Sequence, residues 1–475
     1  MRSMRKMFYD EVIKYGDKEA FIEDSGKSMT YSELDAFSKR VGKHVVPRKV
    51  VLCLCQNSIA SVSGYVAFLA SNVVPVLISK DTDRSLIDGL IDTYKPGFIY
   101  SPEERLDIFG GYETVFEESG YHLMKRTEPC EYELFGELAL LMSTSGTTGS
   151  SKLVRQSRKN IQANAESIAQ YLGITADERP VTTLPMFYCY GLSVINSHLL
   201  KGATILLTGM SVMQKAFWDF MKGHKATSFA GVPYTFEMLK RIRYYKLDLP
   251  DLRYITQSGG KMPPQVHEEF ARWARENGKQ LFVMYGATES TSRMGYLPPE
   301  RSVEKAGSMG VAIPGGRFFL KDDEGNEITS PDTEGELFYE GDNVTLGYVT
   351  CISELSDGDM RNGVLQTGDM AVMDEEGFYY ITGRKSRFLK IYGLRVGLDE
   401  VERILSAKYE GCDIAATGTD AKLIIYTDAK DRTEEMRRYI CEVTHLNEIS
   451  AEVRYMEVLP RGENGKVQYS KLDKE

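Results

Sequence analysis

Two unbroken apolar runs, Val50-Val-Leu-Cys-Leu-Cys55 and Val73-Val-Pro-Val-Leu-Ile78, restrict the fold of this chain more than any other feature. A strand with water on one face alternates apolar and polar residues; a continuous run belongs to a strand buried on both faces. Both faces must then be covered, which crossover helices do in α/β layers. The stretch Ala60 to Ala70 between the runs is helical in pattern, so residues 50–78 read as strand, helix and parallel strand. The alternation returns at Lys159 to Tyr171 (helix), Pro180 to Leu184 (strand), Gly191 to Leu200 (helix) and Thr204 to Leu207 (strand). Ahead of it stand a helix over Phe8 to Tyr15, a strand over Ala20 to Glu23, and a helix from Tyr31. Thr30 caps that last helix, with Glu33 reaching back to it.

After about residue 310 the texture changes to short alternating segments such as Gly335 to Glu340 and Phe378 to Ile381. Acidic glycine turns separate them, the pattern of antiparallel β-structure. A basic segment, Gly383-Arg-Lys-Ser-Arg387, then leads into a small α+β unit. The expected fold class is therefore α/β: a large N-terminal domain, 1–382, of parallel and mixed sheets with helices, including a β-rich subdomain over about 310–382. A hinge at 383–387 and a small α+β C-terminal lid domain, 388–475, follow it.

The balance of the 475 residues, 42% hydrophobic and 27% charged, is that of a globular protein. A net charge of −10 gives no general attraction to nucleic acid or to anionic membranes. A polyanion must be bound by a local site. The seven cysteines are scattered and suggest neither a disulfide framework nor a zinc site. The most apolar stretch, Tyr65 to Ile78, is shorter than the roughly 20 residues of a membrane span. The N-terminus has basic residues but no apolar core behind them, so no secretory signal is read there. The expectation is a cytoplasmic protein with no transmembrane segment and no nucleic-acid partner.

The chemistry begins at Leu138-Ala-Leu-Leu-Met-Ser-Thr-Ser-Gly-Thr-Thr-Gly-Ser-Ser-Lys152. A buried strand runs into a loop of Thr144, Ser145, Gly146, Thr147, Thr148 and Gly149 that closes on Lys152. Glycines let backbone N–H groups converge on an anion, hydroxyls add donors and the lysine adds charge, which together make a phosphate cradle. The spacing excludes a P-loop ATPase, which needs four residues between the first glycine and a Gly-Lys pair.

This loop resembles the signature of the adenylate-forming superfamily: acyl- and aryl-CoA synthetases, firefly luciferase and peptide-synthetase adenylation domains. Further motifs follow in the family's order. They are Met284-Tyr-Gly-Ala-Thr-Glu289, Gly335-Glu-Leu with Gly347-Tyr348, Thr367-Gly-Asp369, Gly383-Arg384 with Lys390-Ile-Tyr-Gly-Leu-Arg395, and Pro460-Arg-Gly-Glu-Asn-Gly-Lys466. Taken alone, most of these residues would be ordinary turns, caps or surface charges; the ordered set gives them roles. The resemblance implies ATP and Mg²⁺ as cofactors. Tyr285 would stack on adenine, beside Gly286 and the strand-end glycines Gly259 and Gly260. Thr288 would donate to the α-phosphate and Glu289 would ligate Mg²⁺. Asp369 would accept from the ribose hydroxyls, with Arg384 and Arg395 in support. Lys466 would bridge carboxylate and phosphate oxygens during adenylate formation. In the family the C-terminal domain then rotates, about a point that matches Ser386, where relatives carry Asp or Lys. Gly393 would then line a tunnel for a pantetheine arm.

Leu184-Pro-Met-Phe-Tyr-Cys-Tyr-Gly-Leu-Ser193 resembles the synthetase segment Pro-x-Phe-His-x-x-Gly, with Tyr188 in place of histidine. Phe187, Tyr188, Cys189, Tyr190 and Gly231 would wall the acyl pocket. No carboxylate stands between Leu184 and Ser193 to pair an α-ammonium, and burying an unpaired one costs several kcal/mol, which disfavours amino-acid substrates. The implied reaction joins a small carboxylic acid to a thiol, either of CoA (an acyl-CoA synthetase) or of a phosphopantetheinyl carrier protein (an acyl-carrier-protein ligase). The chain ends just after Lys466 with no fused carrier domain in view. A catalytically inactive nucleotide-binding protein would have no use for Lys466, Glu289 and Asp369 together.

Overall fold

The computed structural model describes residues 7–143, 152–385, 387–391, 394–419, 422–444, 446–462 and 466–474. The chain divides into two compact units: 1–317 with 340–365, and 318–339 with 366–475.

The first unit contains the two large sheets. One has eight strands, and its centre is the parallel set Phe98–Pro102, Val50–Cys55, Val74–Ser79 and Leu138–Ser143. Its antiparallel margins are Leu153–Ser157 with Gly347–Val349 on one side and Tyr121–Arg126 with Tyr112–Glu118 on the other. The nine-stranded sheet has a parallel core of Glu19–Glu23, Ile205–Leu207, Pro180–Val181, Ser228–Gly231, Tyr254–Gln257 and Gln280–Gly286. Arg293–Leu297 is added to it antiparallel.

The two apolar runs are indeed strands buried along nearly their whole length. The helices Ile59–Ala70 and Cys189–Lys201 are buried on nearly every side, as their all-round apolarity requires. One hydrophobic cluster joins them to strands of both sheets, among them Phe21, Ile205 and Leu207 from one and Val51, Leu77 and Met142 from the other. Thr30 and Glu33 close a reciprocal cap on Tyr31–Gly42, as the sequence predicts.

Two elements depart from the sequence reading. Residues 8–15 form two 3-10 turns, Phe8–Asp10 and Val12–Tyr15, because Glu11 at φ −121°, ψ 15° interrupts the helix. The strand expected over 180–184 shrinks to Pro180–Val181. Beyond it the Thr182 hydroxyl, and not a ladder carbonyl, accepts from the Thr208 N–H at 3.0 Å.

A five-stranded sheet is formed by Glu327–Ile328, Gly316–Lys321, Gly335–Gly341, Val364–Met373 and Tyr379–Arg384, in that order. The second unit continues with the strand pair Phe388–Ile391 and Leu394–Gly397, then a three-stranded sheet packed with the helices Leu398–Lys408 and Thr433–Thr444 around its own core. Among the described residues no helix is long and apolar enough to cross a membrane.

Candidate active site

The cradle residues Thr144 to Gly149 lie outside the described residues, but their flanks are fixed. Leu138–Ser143 and Leu153–Ser157 pair antiparallel, with Ser143 opposite Leu153, so the loop joins two neighbouring strands. Lys152 sits at its exit, with Nζ 3.5 Å from the centroid of the Tyr348 ring. Tyr348 is brought there by register, opposite Val154 across the sheet margin. Arg155 secures that margin. Wholly buried, it spends its donors on four backbone carbonyls: Tyr348 (3.2 Å), Leu346 (3.2 Å), Asp357 (2.5 Å) and Gly358 (3.1 Å).

The Tyr348 hydroxyl donates to Glu289 Oε1 at 2.6 Å. Burial, reinforced by that carboxylate, pushes the hydroxyl up to about 12, so at neutral pH it keeps its proton and remains a donor. Arg361 lies 4.8 Å from the same ring centroid and donates to the Glu289 carbonyl at 3.1 Å. Thr345 donates to that carbonyl as well, from N (3.0 Å) and Oγ1 (2.8 Å). Glu289 is thus a carboxylate oriented by a phenol whose ring carries two cations, and its free oxygen suits a hard cation such as Mg²⁺.

The turn that carries Thr288 and Glu289 is under backbone tension. Thr291, β-branched, is held at φ +67°, a region such residues avoid. Asn343 holds the turn in place: its Nδ2 donates to Ser290 O (3.0 Å) and Arg293 O (2.9 Å), and its own carbonyl accepts from Thr291 Oγ1 (2.8 Å). Gly286 precedes the turn, and a Cβ there would stand 1.8 Å from the Ser292 carbonyl oxygen, so no other residue fits. Tyr285, half-buried, comes just before Gly286 in the same strand, opposite Gly295.

Thr288 leads to the segment Leu184 to Ser193. Its Oγ1 donates to Cys189 Sγ at 3.4 Å. Tyr190 follows, with its hydroxyl 2.8 Å from Thr256 Oγ1. Tyr188 stands against Gly259, where an added Cβ would come 2.7 Å from the phenol oxygen; Gly259 itself is at φ +84°, a second reason for glycine. Gly260 abuts Pro233 and Gly231 abuts Phe236 and Thr235. Phe187 packs partly buried on the central cluster. Burial holds the Tyr188 and Tyr190 hydroxyls well above the ordinary phenol range, so this wall is neutral.

In the second unit Asp369 and Arg384 face each other across paired strands, with Arg384 Nε 3.3 Å from Asp369 Oδ1. Lys466 is exposed, and its carbonyl accepts from Gly462 N at 2.9 Å. Arg395 stands opposite Lys390 in the Phe388–Ile391 and Leu394–Gly397 pair. Ser386 and Gly393 lie outside the described residues.

Lys152, Glu289, Thr288, Cys189, Tyr190, Tyr188 and Gly259 are thus drawn into one region of the first unit. The sequence reading missed Arg361 and gave Tyr348 no role of its own. Tyr348 had a signal, the Gly347-Tyr348 motif; Arg361 had none, since its partners lie 16 and 72 positions away.

The sequence model of the AMP-binding enzyme family matches residues 8–349. The chain belongs to that family. Among AMP-binding enzymes it is 30% identical over 365 residues to a 2-succinylbenzoate–CoA ligase of Bacillus pumilus, covering 75% of this chain and 72% of the relative. It is also 30% identical over 372 residues to a long-chain-fatty-acid–CoA ligase of Escherichia coli O157:H7, covering 75% and 65%. The O-succinylbenzoate coenzyme A synthetase of Bacillus subtilis, solved with ATP and a magnesium ion, shares the fold. Its TM-score is 0.80 at 24% identity, over 98% of this chain and 99% of that one.

Proposed function

We infer that this AMP-binding enzyme activates a carboxylic acid with ATP and passes the acyl group to the thiol of CoA. It is an AMP-forming acid–thiol ligase. In the first step a carboxylate oxygen attacks the α-phosphorus, the acyl–phosphate bond forms and pyrophosphate leaves. In the second the thiol sulfur attacks the acyl carbon, and AMP departs with the electron pair of the anhydride bond.

One observation carries this reading: the line of contacts from Lys152 through Tyr348 to Glu289, and from the adjacent Thr288 through Cys189 to Tyr190. A cationic, hydroxyl-rich end suited to phosphates meets an aromatic, uncharged end suited to an acyl group. Thr288 stands at the junction, where carboxylate and α-phosphate must converge. Mg²⁺ held by Glu289 supplies charge neutralisation for the phosphate oxygens. Lys152 draws the phosphates to the loop, and Tyr285 offers a ring to adenine. Asp369 and Arg384 serve the ribose, and Lys466 offsets the repulsion between two anions in the first step only. Ser386 and Gly393 are assigned to the hinge at 383–387 and to the thiol tunnel. Use of ATP and CoA fits a cytoplasmic location.

The test is pyrophosphate release over a panel of carboxylic acids, followed by CoA or a loaded carrier protein as acceptor. The expected result is acid-dependent release and a CoA thioester. Absence of release with every acid would overturn the reading, and a thioester on the carrier alone would replace CoA as the acceptor.

A further inference from the structure

Two buried amides line one small cavity in the first unit. Gln156 is 1% exposed and Asn164 is 2% exposed. Gln156 lies on the strand Leu153–Ser157, and Asn164 on the helix Arg158–Tyr171. Asn164 Nδ2 donates to Arg293 O at 2.9 Å, which fixes the orientation of its amide and leaves Oδ1 as the remaining acceptor. That oxygen has no hydrogen-bond partner among the described residues, and neither has Gln156 Nε2. One is an acceptor and the other a donor, yet they do not bond to each other. Buried polar atoms are costly to leave unmet.

The cavity they share has a volume of about 10 Å³. That is room for one water molecule and nothing larger: a single water needs roughly 10–15 Å³ and two to four polar partners. Cys189, Ser193, Asn196 and Thr291 also line the cavity. Thr291 Oγ1 donates to Asn343 O at 2.8 Å and Ser193 Oγ to Tyr190 O at 2.7 Å, so each hydroxyl oxygen can still accept. A water here accepts from Gln156 Nε2 and donates to Asn164 Oδ1. Its second proton is left for one of the two hydroxyl oxygens.

The place of this cavity ties it to the reaction. Gln156 stands four residues past Lys152, on the strand that leaves the Gly-Ser-Thr loop. Asn164 and Asn343 both donate to the Arg293 carbonyl, at 2.9 Å each, just beyond the turn that carries Thr288 and Glu289. Cys189, on the cavity wall, accepts from Thr288. Resting on the acid-activating reading above, we propose that the cavity binds one internal water bridging Gln156 to Asn164, and that Gln156 acts through it as a positioning residue for Thr288 and Glu289. The bridge links the strand behind Lys152 to the turn and keeps the spacing between them. Removing it frees the Asn164 amide to turn, which loosens its hold on Arg293 O.

Two measurements test this. A high-resolution crystal structure of the wild type should show a solvent peak about 2.7–3.2 Å from both Gln156 Nε2 and Asn164 Oδ1. No peak there, or the two amides bonded directly, overturns the proposal. Gln156→Met, close in length and volume, removes the donor and should lose the peak. In ATP–pyrophosphate exchange its kcat should fall about 10-fold, while the KM values for ATP and acid stay within about 2-fold, because the turn is misplaced during chemistry and not during binding. A variant that melts earlier but keeps its kcat makes the water merely structural and overturns the positioning role; a loss confined to KM does the same. If Gln156→Met does not fold, Gln156→Leu is read in its place, and the wild-type peak still decides the water. No exchange with any acid overturns the acid-activating reading and the positioning role with it, whereas the solvent peak stands or falls on its own.

Discussion

Tyr348→Phe removes one oxygen from the candidate site and little else. The ring stays beneath Lys152 Nζ at 3.5 Å and Arg361 at 4.8 Å, so the cation–π contacts, worth about 0.5–2 kcal/mol each, survive. What is lost is the 2.6 Å hydrogen bond to Glu289 Oε1. Its length marks it as charge-assisted, and such bonds contribute about 1.5–3 kcal/mol. If Glu289 holds Mg²⁺ in the orientation that Tyr348 imposes, the Mg²⁺ concentration needed for half-maximal activity should rise by about 10- to 100-fold. The assay is ATP–pyrophosphate exchange at saturating acid with Mg²⁺ titrated, alongside a thermal melt to verify folding. Glu289→Gln completes a double-mutant cycle. Because Tyr348 acts through Glu289, the two effects should be strongly non-additive. An unchanged Mg²⁺ requirement in Tyr348→Phe, or full additivity with Glu289→Gln, would refute the reasoning. Tyr348→Leu should be worse than Tyr348→Phe, because it also takes the ring from both cations.

If Asp369 accepts from the ribose as proposed, Asp369→Ala should weaken ATP binding by about 10- to 100-fold, as read by calorimetry. Its pair with the largely exposed Arg384 adds little to stability, so the melt should hardly move. Lys466→Ala should abolish pyrophosphate exchange yet leave single-turnover thioester formation from a pre-made acyl-adenylate largely intact, with Gly393→Leu doing the reverse; equal loss of both steps in both variants counts against separate roles. His198 makes stability acid-sensitive. Its Nδ1–H donates to Val194 O at 2.7 Å, and burial lowers its pKa from 6.5 to about 3. The unfolded chain therefore binds a proton that the folded one refuses. Stability is full above pH 6.5 and falls as pH drops toward 3, by about 2 kcal/mol at pH 5 from this site. His198→Gln should flatten the slope of melting temperature between pH 7 and 5, and an unaltered slope would exclude His198 as its source.

Local pattern carried much of this protein into view. The two apolar runs could be nothing but doubly buried strands, and Thr30 with Glu33 specified a helix start, because burial periodicity and capping act over a few residues. The resemblance of the ordered motifs to a known family, not residue type alone, singled out Lys152, Glu289, Asp369 and Lys466 as candidates. Where spacing was the only guide, as in 8–15 and 180–184, the reading failed. A deviant Glu11 backbone and a side-chain hydroxyl at Thr182 ended those elements early.

Partnership was decided by tertiary structure. Tyr348 meets Glu289 across 59 positions only because its strand pairs with Leu153–Ser157 in one particular register, and Arg155 fixes that margin through carbonyls some 200 residues away. A slip of one residue would turn Tyr348 to the other face of the sheet. Arg361 and Arg293 read in sequence as ordinary arginines. That one braces the Glu289 turn and the other is buried among hydroxyls and a thioether depends on which distant atoms surround them. No local pattern encodes that environment, because a buried charge is defined by what packs around it and not by its neighbours along the chain.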